Sequence, residues 1–250
     1  VSILLAATAT KASLYILARI LFSIFLPSDD LINYTLTYII LPLSILAMFA
    51  GTIMAIYEKD IKRLLAHSSV AQIGYISLAF SIGTKASIAS GFIHMANHAL
   101  IKGGLFMAVT SMGYYLQRRI TMHSLSGLGK TMPITFFCFV ICSLSLAGLP
   151  LTAGFISKLY LIKASISSEG LWLAFLILLS SALSLIYLWK IIEALWLNPS
   201  HNQGIKVKES PVIYTSLLII TFLNIYFGLD ASLIVNSSFN ASNLLLGIDK

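Results

Sequence analysis

The sequence predicts an all-α fold, a polytopic transmembrane helix bundle with about seven spans and one broken helix. The chain of 250 residues is 58% hydrophobic and only 10% charged, whereas soluble domains carry roughly 25% charged residues. Apolar stretches of about 20 residues, the length that crosses a bilayer core, recur along the whole chain. Basic residues are concentrated in alternate connections between these stretches, which is typical of proteins that cross a membrane several times.

The seven predicted spans follow one another through a single transmembrane domain, 1–250. In chain order they occupy residues 1–26, 34–56, 69–83, 86–117, 132–167, 171–196 and 211–234. The third span is short, and the fifth is longer than one crossing needs. The sequence after the last span is uninformative about further elements. Because the chain opens with Val1 rather than Met, we expect an N-terminally truncated fragment, with a processed N-terminus as the alternative.

The distribution of basic residues predicts the orientation of the spans. Connections 57–68, 118–131 and 197–210 hold eight Lys and Arg residues, whereas the alternate connections hold two, Lys85 and Lys163. Since cytoplasmic connections carry the excess of Lys and Arg, we expect the N-terminal end at the cytoplasmic face and the C-terminus on the opposite side. The expected location is a bacterial inner membrane, with bilayer lipid around the spans. The net charge of +7 belongs to these connections, so nucleic acid is not an expected partner.

The fifth span contains "SLAGLPLTAGFISK", in which Gly148, Pro150 and Gly154 interrupt apolar sequence. Proline removes one helical hydrogen bond and clashes with the preceding turn. Non-helical backbone at membrane depth persists only where protein or a water-filled cavity satisfies its polar groups, and in transporters such broken helices mark the translocation path. The segment therefore predicts a broken helix; a simple kink packed against a neighbouring helix is the alternative.

Five ionisable residues lie deep inside the predicted spans, away from the span ends, where a charge costs about 2.5–3.5 kcal/mol on insertion scales. Lys11, Lys102 and Lys158 are too far from the span ends for their side chains to reach the interface, so we expect them to face the bundle interior. His94, His98 and Lys102 are spaced by four residues and form one polar stripe about 12 Å long on a helix. The alternative for each histidine is a neutral, hydrogen-bonded packing residue.

The chemistry of these five residues suits proton transfer. Histidine changes charge near neutral pH and can take a proton on one ring nitrogen while releasing one from the other. A lysine withdrawn from water can change charge in the same range. Four further polar residues in the spans, Asn97, Ser145, Thr152 and Ser157, could hold bridging waters, although small polar residues also join helices to one another.

Other patterns in the chain do not indicate catalysis or metal binding. "SGLGKT" resembles a phosphate-binding loop, but Ser124 stands where that loop needs its first glycine. "HMANH" lacks the glutamate of the metal-binding H-E-x-x-H pattern. Cys138 and Cys142 lie one helical turn apart within a span and are interpreted as small buried hydrophobic residues rather than a disulfide. We expect no metal and no cofactor.

Three motifs together resemble a known family. "YEKDIKRLLAHSSVAQIGY", "GFIHMANHALIKGGLF" and "SLAGLPLTAGFISK" occur in the order and spacing of the proton-conducting antiporter-like membrane subunits, and the resemblance covers residues 1–196. This family includes subunits of respiratory complex I, of membrane-bound hydrogenases and of Mrp-type cation/proton antiporters. The resemblance implies a fourteen-span fold with two inverted repeats, each with a broken helix. The seven spans are similar to spans eight to fourteen, which contain the second repeat. The glutamate and lysine of the family's spans five and seven have no counterpart here.

The resemblance also implies roles for individual residues. Lys11 corresponds to the central lysine that bridges two half-channels, and His94, His98 and Lys102 correspond to the relay of the eleventh span. Lys158 corresponds to the broken-helix residue that exchanges protons with one side of the membrane. The implied partners are other membrane subunits of the same complex and protons, with sodium in addition if the complex is an antiporter.

The function that this resemblance implies is proton translocation without bond chemistry in this chain. The two lysines at 11 and 158, together with "HMANHALIKGGLF", are most similar to the D-type subunit of Mrp antiporters. The alternative within the family is a proton-pumping subunit of complex I or of a hydrogenase. An inert structural membrane subunit and a self-sufficient transporter of a small solute are the hypotheses from other classes.

Overall fold

The described part of the chain is entirely helical apart from turns and connections. The computed structural model describes residues 8–25, 30–117, 119–199 and 211–247. These residues contain no β-strand, and Asp60 and Thr121 form an isolated antiparallel bridge. The helices are α1 (Thr10–Arg19), α2 (Asp30–Tyr57), α3 (Ile61–Ser81), α4 (Lys85–Leu116), α5 (Leu128–Thr131), α6 (Pro133–Ala147), α7 (Ala153–Ser168), α8 (Leu171–Trp196), α9 (Pro211–Leu229) and α10 (Ser232–Leu246). Two short stretches, Ile20–Ile24 after α1 and Leu36–Ile40 within α2, are wound as π-helix.

Every predicted span has a helix in the structure, and the predicted fold class is confirmed. Among the described residues, α2, α8 and α9 are each long and apolar enough to cross a bilayer by length and composition alone. Their outward faces expose large apolar side chains, as a lipid-facing surface would; examples are Leu43, Leu46, Phe175, Leu178 and Phe222. The other long helices, α3 and α4, carry buried polar residues.

Helix α3 begins earlier than the predicted third span, 69–83. It starts at Ile61 and has 21 residues. The Asp60 carboxylate accepts hydrogen bonds from the amides of Lys62 (2.9 Å) and Arg63 (3.2 Å), which satisfies two of the unpaired amides at the helix start. The charged first turn was interpreted as a solvated connection, so the prediction for this boundary was eight residues late.

Helices α2 and α3 pack backbone against backbone through two glycines. A Cβ atom at Gly51 would lie 2.6 Å from the amide nitrogen of Ala71, and one at Gly74 would lie 2.7 Å from the amide nitrogen of Met48. Real Cβ atoms do not approach backbone that closely, so both positions require glycine. The close contact fixes α3, and with it the face that α3 presents to α4.

Helix α4 is the central element of the bundle. It runs for 32 residues, from a start capped by the Thr84 side chain to a left-handed end at Gln117 with φ of 47°. It packs against α3, α6, α7, α9 and α10, so that side chains on nearly all of its faces are buried. The predicted polar stripe on α4 therefore faces protein.

The predicted fifth span is two helices, α6 and α7, separated by a break. Helix α6 ends at Gly148, whose φ of +88° favours glycine, and the break also contains Pro150 and Leu151, which has a φ of 69°. Gly154 lies within the first turn of α7 instead of in the break. The sequence thus predicted the broken helix and two of its three residues, while the third has a packing role described below.

Helix α10 is an element that the sequence did not predict. The last predicted span continued to residue 234, but α9 ends at Leu229, and Asp230 accepts a hydrogen bond from the amide of Ser232 at 3.0 Å before the chain turns into α10. Helix α10 packs against α4, and Leu245 joins a buried cluster with Phe80 and Ile88. The sequence "SLIVNSSFNASNLLL" is too rich in Asn and Ser to match the pattern of an apolar span.

Candidate functional site

All five predicted ionisable residues are buried in the bundle. The exposed fraction of the side chain is 0% for Lys102 and His98, 3% for His94, 4% for Lys158 and 8% for Lys11. Ionisable side chains are almost never buried this completely unless they are paired or functional. The partners of each residue show what the site can do.

The amino group of Lys158 lies at the break, at the C-terminal end of α6. It donates hydrogen bonds to the backbone carbonyls of Leu146 and Ala147, both at 2.9 Å, and to the hydroxyl of Ser181 on α8 at 2.8 Å. The last carbonyls of a helix lack partners and carry the negative end of its dipole. Three acceptors match the three N–H bonds of an ammonium group, so the break creates a cation site.

Gly148 makes room for the Lys158 side chain. A Cβ atom at Gly148 would lie 2.7 Å from Cδ of Lys158, in addition to being strained by the positive φ. The ring of Tyr75, on α3, lies over the lysine with its centroid 5.2 Å from Nζ, within the range of a cation–π contact. The Tyr75 ring also lies 5.7 Å from the ring of His94. Lys158 and His94 therefore share one polar cluster.

His94 bridges α7 and α3. Its Nδ1 atom lies 2.8 Å from the hydroxyl of Ser157, the residue before Lys158, and its Nε2 atom lies 2.9 Å from Oε1 of Gln72. Because an amide oxygen only accepts, Nε2 is the donor in that pair, and Nδ1 of the neutral ring is then an acceptor. The Ser157 hydroxyl has one proton and two acceptors within reach, Nδ1 and the carbonyl of Gly154 at 3.0 Å. Both ring nitrogens are thus held, and the ring has a fixed orientation.

His98 differs from His94 in having no hydrogen bond to the described residues. The two rings are parallel, with an interplanar angle of 5° and centroids 6.1 Å apart. Neither ring nitrogen of His98 has a partner in the described part of the chain, although both are fully buried. Buried polar atoms without a partner are rare in native structures and call for a functional or solvent-related explanation.

Lys102 lies at the other end of the stripe. Its amino group donates to the carbonyl of Leu65 at 2.7 Å and to the hydroxyl of Ser68 at 2.5 Å, both on α3. The ring centroid of Phe106 lies 5.9 Å from Nζ of Lys102. Lys102 thus has two hydrogen-bond acceptors, against three for Lys158, and neither acceptor of Lys102 is an acidic side chain.

Helix α3 supplies a second stripe that sequence reasoning missed. Ser68, Gln72 and Tyr75 follow one another at intervals of four and three residues and are all buried, so they share one helix face. Ser68 meets Lys102, while Gln72 and Tyr75 meet His94. The signal was present in "HSSVAQIGY", where polar residues recur at helical spacing inside an apolar segment.

The four predicted water-holding residues make protein contacts around the break. The Asn97 amide donates to the carbonyl of Ala153 at 2.7 Å, while its Oδ1 atom has no partner among the described residues. The hydroxyl of Thr152 donates to the carbonyl of Leu149 at 2.6 Å. Ser157 pairs with His94 as described, so among these side chains the Asn97 oxygen is the group open to a further ligand.

Ser145 connects three helices. Its hydroxyl donates to Oδ1 of Asn224 on α9 at 2.6 Å and accepts a hydrogen bond from the amide of Gly154 on α7 at 3.1 Å. The Gly154 amide is one of the unpaired donors at a helix start. Ser145, on α6, therefore ties the two halves of the broken helix to each other and to α9.

Replacing Ser145 with alanine is expected to destabilise the protein by about 1–3 kcal/mol, because the Gly154 amide and the Asn224 carbonyl lose their buried partner. The measurement is thermal unfolding of the chain in its native assembly in detergent. Ser143→Ala is the matched control, since the Ser143 hydroxyl is buried on the same helix without a hydrogen-bond partner among the described residues. Equal midpoints for the two variants would show that the Ser145 contacts contribute nothing.

Lys11 enters the site from α1. Its amino group donates to the hydroxyl of Thr10 at 3.3 Å. Helix α1 packs against α3. The structure thus buries all five predicted residues in the bundle, with His94 in contact with Ser157, the residue before Lys158.

Metal binding has no support in the described residues. They contain no group of three or more His, Cys, Asp or Glu side chains that could hold a metal ion. Cys138 and Cys142 are both buried in α6 and are not disulfide-bonded.

The broken helix, the buried lysines and the apolar exterior define a class: a polytopic membrane protein with ionisable residues buried in its core. Residues 1–184 match the family described as "NADH:quinone oxidoreductase/Mrp antiporter, TM". The chain belongs to this family. The resemblance inferred from the three motifs is confirmed, and the match ends close to the boundary of 196 that those motifs gave.

Similar proteins come from respiratory and related complexes. The chain is 33% identical over 186 residues to "F(420)H(2) dehydrogenase subunit N" of Methanosarcina mazei, covering 71% of this chain and 38% of the relative. It is 36% identical over 210 residues to "NADH-quinone oxidoreductase subunit N" of Desulforudis audaxviator, covering 83% and 41%. A chain of the "membrane-bound sulfane sulfur reductase (MBS), an archaeal respiratory membrane complex" superposes with a TM-score of 0.88 at 30% identity, covering 98% of this chain and 49% of that one. The chain thus spans about two fifths of the length of the two sequence relatives and about half of the sulfane sulfur reductase chain.

Proposed function

We propose that this chain is a proton-translocating subunit of a multisubunit membrane complex and that Lys11, His94, His98, Lys102 and Lys158 form its relay. One observation carries the proposal: a row of buried ionisable residues leads from Lys158 at the helix break along one face of α4 to Lys102. Ser157 adjoins Lys158 and bonds to His94, His98 stacks beside His94, and Lys102 follows one turn later.

The geometry supports stepwise proton movement. Lys158 sits among three acceptors at the negative end of α6, and these acceptors match the three N–H bonds of an ammonium group. His94 has one nitrogen facing Ser157 and the other facing Gln72, so a proton gained on one side can be released on the other. The His94 and His98 rings are stacked with centroids 6.1 Å apart, and neither His98 nitrogen has a hydrogen bond to the described residues. Proton transfer between the two rings therefore requires ring rotation or a bridging hydroxyl or water.

Repulsion between like charges would couple the steps. The hydrogen-bond acceptors described above for Lys102 and Lys158 are carbonyls and hydroxyls rather than carboxylates, and Lys11 lies in the same buried region. Positive charges in low dielectric repel one another strongly. Protonation of one lysine therefore favours proton release from the others, and the group titrates as a unit. A partner subunit that changes the charge near Lys11 could drive protons along the stripe.

The orientation of the chain is also part of the proposal. The amide of Ile61 donates to the carbonyl of Ile120 at 3.0 Å, and the amide of Gly127 donates to the carbonyl of Ala194 at 3.0 Å. These contacts gather the start of α3, the connection after α4 and the end of α8 at one end of the bundle. That arrangement supports a single basic, cytoplasmic face in a bacterial inner membrane. Three contributors to the basic count lie outside the described residues, Arg118, Lys206 and Lys208.

Two kinds of complex could use such a subunit. The names of the two sequence relatives above support a redox-driven complex, in which electron transfer in other subunits drives the protons. The second candidate is an Mrp-type antiporter with this chain as its D-type subunit, which the pairing of Lys11 and Lys158 with "HMANHALIKGGLF" favours. Both candidates place other membrane subunits beside this chain.

The function is tested by proton uptake into vesicles that contain the chain in its native assembly. Lys102→Met is expected to lower the initial rate by at least about tenfold, the loss expected when a proton-transfer group is removed. Lys62→Met is the matched control, because Lys62 is an exposed lysine of the α3 first turn and its uptake should equal that of the wild type. Unchanged uptake in Lys102→Met, with normal assembly, would instead support the inert structural subunit.

The kind of complex is tested with the same vesicles. In an antiporter, an imposed sodium gradient should drive proton movement in the absence of an electron donor. In a redox-driven pump, the sodium gradient should have no effect, and oxidation of the donor should drive uptake.

A further inference from the structure

The last span of the chain is interrupted beside the break between α6 and α7. A Cβ atom at Gly228, in the last turn of α9, would lie 2.5 Å from both the carbonyl oxygen of Leu151 and the Cα atom of Thr152. Those two residues lie between the end of α6 and the start of α7. Helix α9 ends at Leu229, so the turn at Asp230 that leads into α10 lies close to the level of the break.

The break itself lies well inside the membrane. Helix α6 has 15 residues and α7 has 16, so about 22 Å of helix extends from the break on one side and about 24 Å on the other. The hydrocarbon core is about 30 Å thick, which puts the break near its middle. By length alone α9 could cross the bilayer and bring Asp230 to the surface. Its contact with the break places Asp230 at hydrocarbon depth instead.

Helix α10 continues through the same half of the membrane as α7. It has 15 residues, about 22 Å of rise, which is close to the length of α7. The ring of Phe239 meets the ring of Tyr160 on α7, with centroids 6.2 Å apart. Near the end of α10, the carbonyl of Leu245 accepts a hydrogen bond from the hydroxyl of Ser23 at 3.3 Å, and Leu245 packs with Ile88 at the start of α4. Helix α10 therefore runs from the break to the end of the bundle.

The outward face of α10 is polar over most of its length. Asn236, Ser237 and Asn240 are exposed and share one side of the helix, opposite to its buried residues. Leu233 and Leu244 lie at the two ends of this face and are also exposed. The outward faces of α2 and α8 at membrane depth carry large apolar side chains, as described above. The α10 face therefore does not have the composition of a lipid-facing surface.

Asp230 adds a carboxylate at the start of this face. Its side chain is exposed and accepts a hydrogen bond from the amide of Ser232 at 3.0 Å. It forms no ion pair with another residue in the described part of the chain. A carboxylate facing lipid at this depth is strongly unfavourable, and polar groups in hydrocarbon find no partners there. The face therefore has to be covered by protein.

We propose that Asp230, Asn236, Ser237 and Asn240, the α10 face, bind a transmembrane helix of another membrane subunit, which places a Lys or Arg side chain against Asp230. A cation neutralises the carboxylate, as ionisable residues inside membranes are paired with one another. Asparagine and serine side chains on the same face join neighbouring helices through hydrogen bonds. A second copy of this chain, packed face to face, would instead bring two carboxylates together and be repelled.

The proposal rests on the proposed function in one respect, because it requires other membrane subunits beside this chain. It requires no proton transfer. The contact is tested by photocross-linking in the purified native assembly, with a photoreactive residue in place of Asn236 or Asn240. The matched control position is Phe175, which is exposed on the apolar outward face of α8.

We expect both α10 positions to form an adduct with a different subunit, at a helix that contains Lys or Arg, identified by mass spectrometry. Position 175 should not react with that helix. An adduct between two copies of this chain, an adduct with lipid alone, or the absence of any adduct at both α10 positions would overturn the proposal.

The charge at Asp230 is tested by the yield of assembled complex. Asp230→Lys should lower that yield by at least about tenfold, because it opposes two like charges, and replacing the cross-linked cation of the partner with Asp should restore it. Asp230→Asn retains an acceptor for the Ser232 amide and should give a smaller loss, with normal amounts of this chain in the membrane. Glu193→Lys is the matched control, an equal charge change at an exposed acid near the end of α8. Normal assembly of Asp230→Lys would overturn the ion pair.

Failure of the interface and failure of the proposed function have different signatures. If other subunits co-purify with the chain but neither α10 position cross-links to them, the interface is wrong and the proposed function is untouched. If the cross-links form while Lys158→Met takes up protons at the wild-type rate, the interface stands and the relay is wrong. If no other subunit co-purifies, the multisubunit part of the proposed function is wrong and the interface falls with it.

Discussion

Lys158→Met is expected to abolish proton uptake while the complex still assembles. Lys158 is the group that the break in the fifth span presents to the core. It links the carbonyls at the end of α6 to Ser181, and the residue before it, Ser157, contacts His94. Methionine has a similar length and no proton to transfer. The proposed path starts at this residue, and we expect a loss of at least about a hundredfold. The measurement is initial uptake in vesicles, normalised to the amount of assembled complex.

Two further variants separate charge from proton release at this position. Lys158→Arg keeps a positive charge and hydrogen-bond donors but does not release its proton in proteins, so it should assemble and remain inactive. Lys163→Met is the control on the same helix, because Lys163 is exposed and lies over the ring of Tyr160. Uptake at the wild-type rate in Lys158→Arg would show that a fixed charge is sufficient and that this residue carries no proton.

The sequence predicted the features that depend on local pattern. The spacing of His94, His98 and Lys102 places them on one face of any helix, and the structure buries that face completely. The combination of Gly148 and Pro150 in apolar sequence predicted the break, because both residues disfavour helix locally. In each case the determining information lies within a few residues of the feature.

Features that depend on packing between distant segments were not predicted. Ser68 and Gln72 could be recognised as polar, but only the α3–α4 contact shows that they bond to Lys102 and His94. The capping of α3 by Asp60 was hidden by the charged residues around it, which also suit a solvated connection. Helix α10 was not recognised because its sequence lacks the pattern of an apolar span. It packs against α4, and part of its surface is therefore covered by protein.

The break in the fifth span depends both on local sequence and on packing between distant segments. The local sequence of the break ends α6 and leaves the buried carbonyls of Leu146 and Ala147 without a donor from the helix. No residue next to them in sequence supplies one. The donor comes from Lys158, one helix later, once α7 folds back at Gly154. A chain can therefore bury this lysine at low cost only where it also breaks the helix, which explains why the two features occur together.

Gly154→Ala is expected to separate the two halves of the broken helix and to destabilise the protein by about 3 kcal/mol or more. A Cβ atom at this position would overlap the carbonyl oxygen of Ser145, which is backbone and cannot rotate away. Helix α7 would have to move from α6, so the Gly154–Ser145 hydrogen bond would be lost and Lys158 would be drawn from its carbonyl acceptors. The thermal midpoint in detergent should fall by roughly 6 °C or more, and proton uptake should fall with it.

The matched control is Gly103→Ala, a glycine-to-alanine change in the middle of α4. A Cβ atom there would meet only Cδ1 of Ile220, at 3.9 Å, an ordinary van der Waals contact. Alanine is the better helix former by about 0.5–1 kcal/mol, so this variant should match or exceed the stability of the wild type. If both variants unfolded at the wild-type temperature, α6 and α7 would have freedom to separate, and the close contact at Gly154 would not be what holds the lysine at the break.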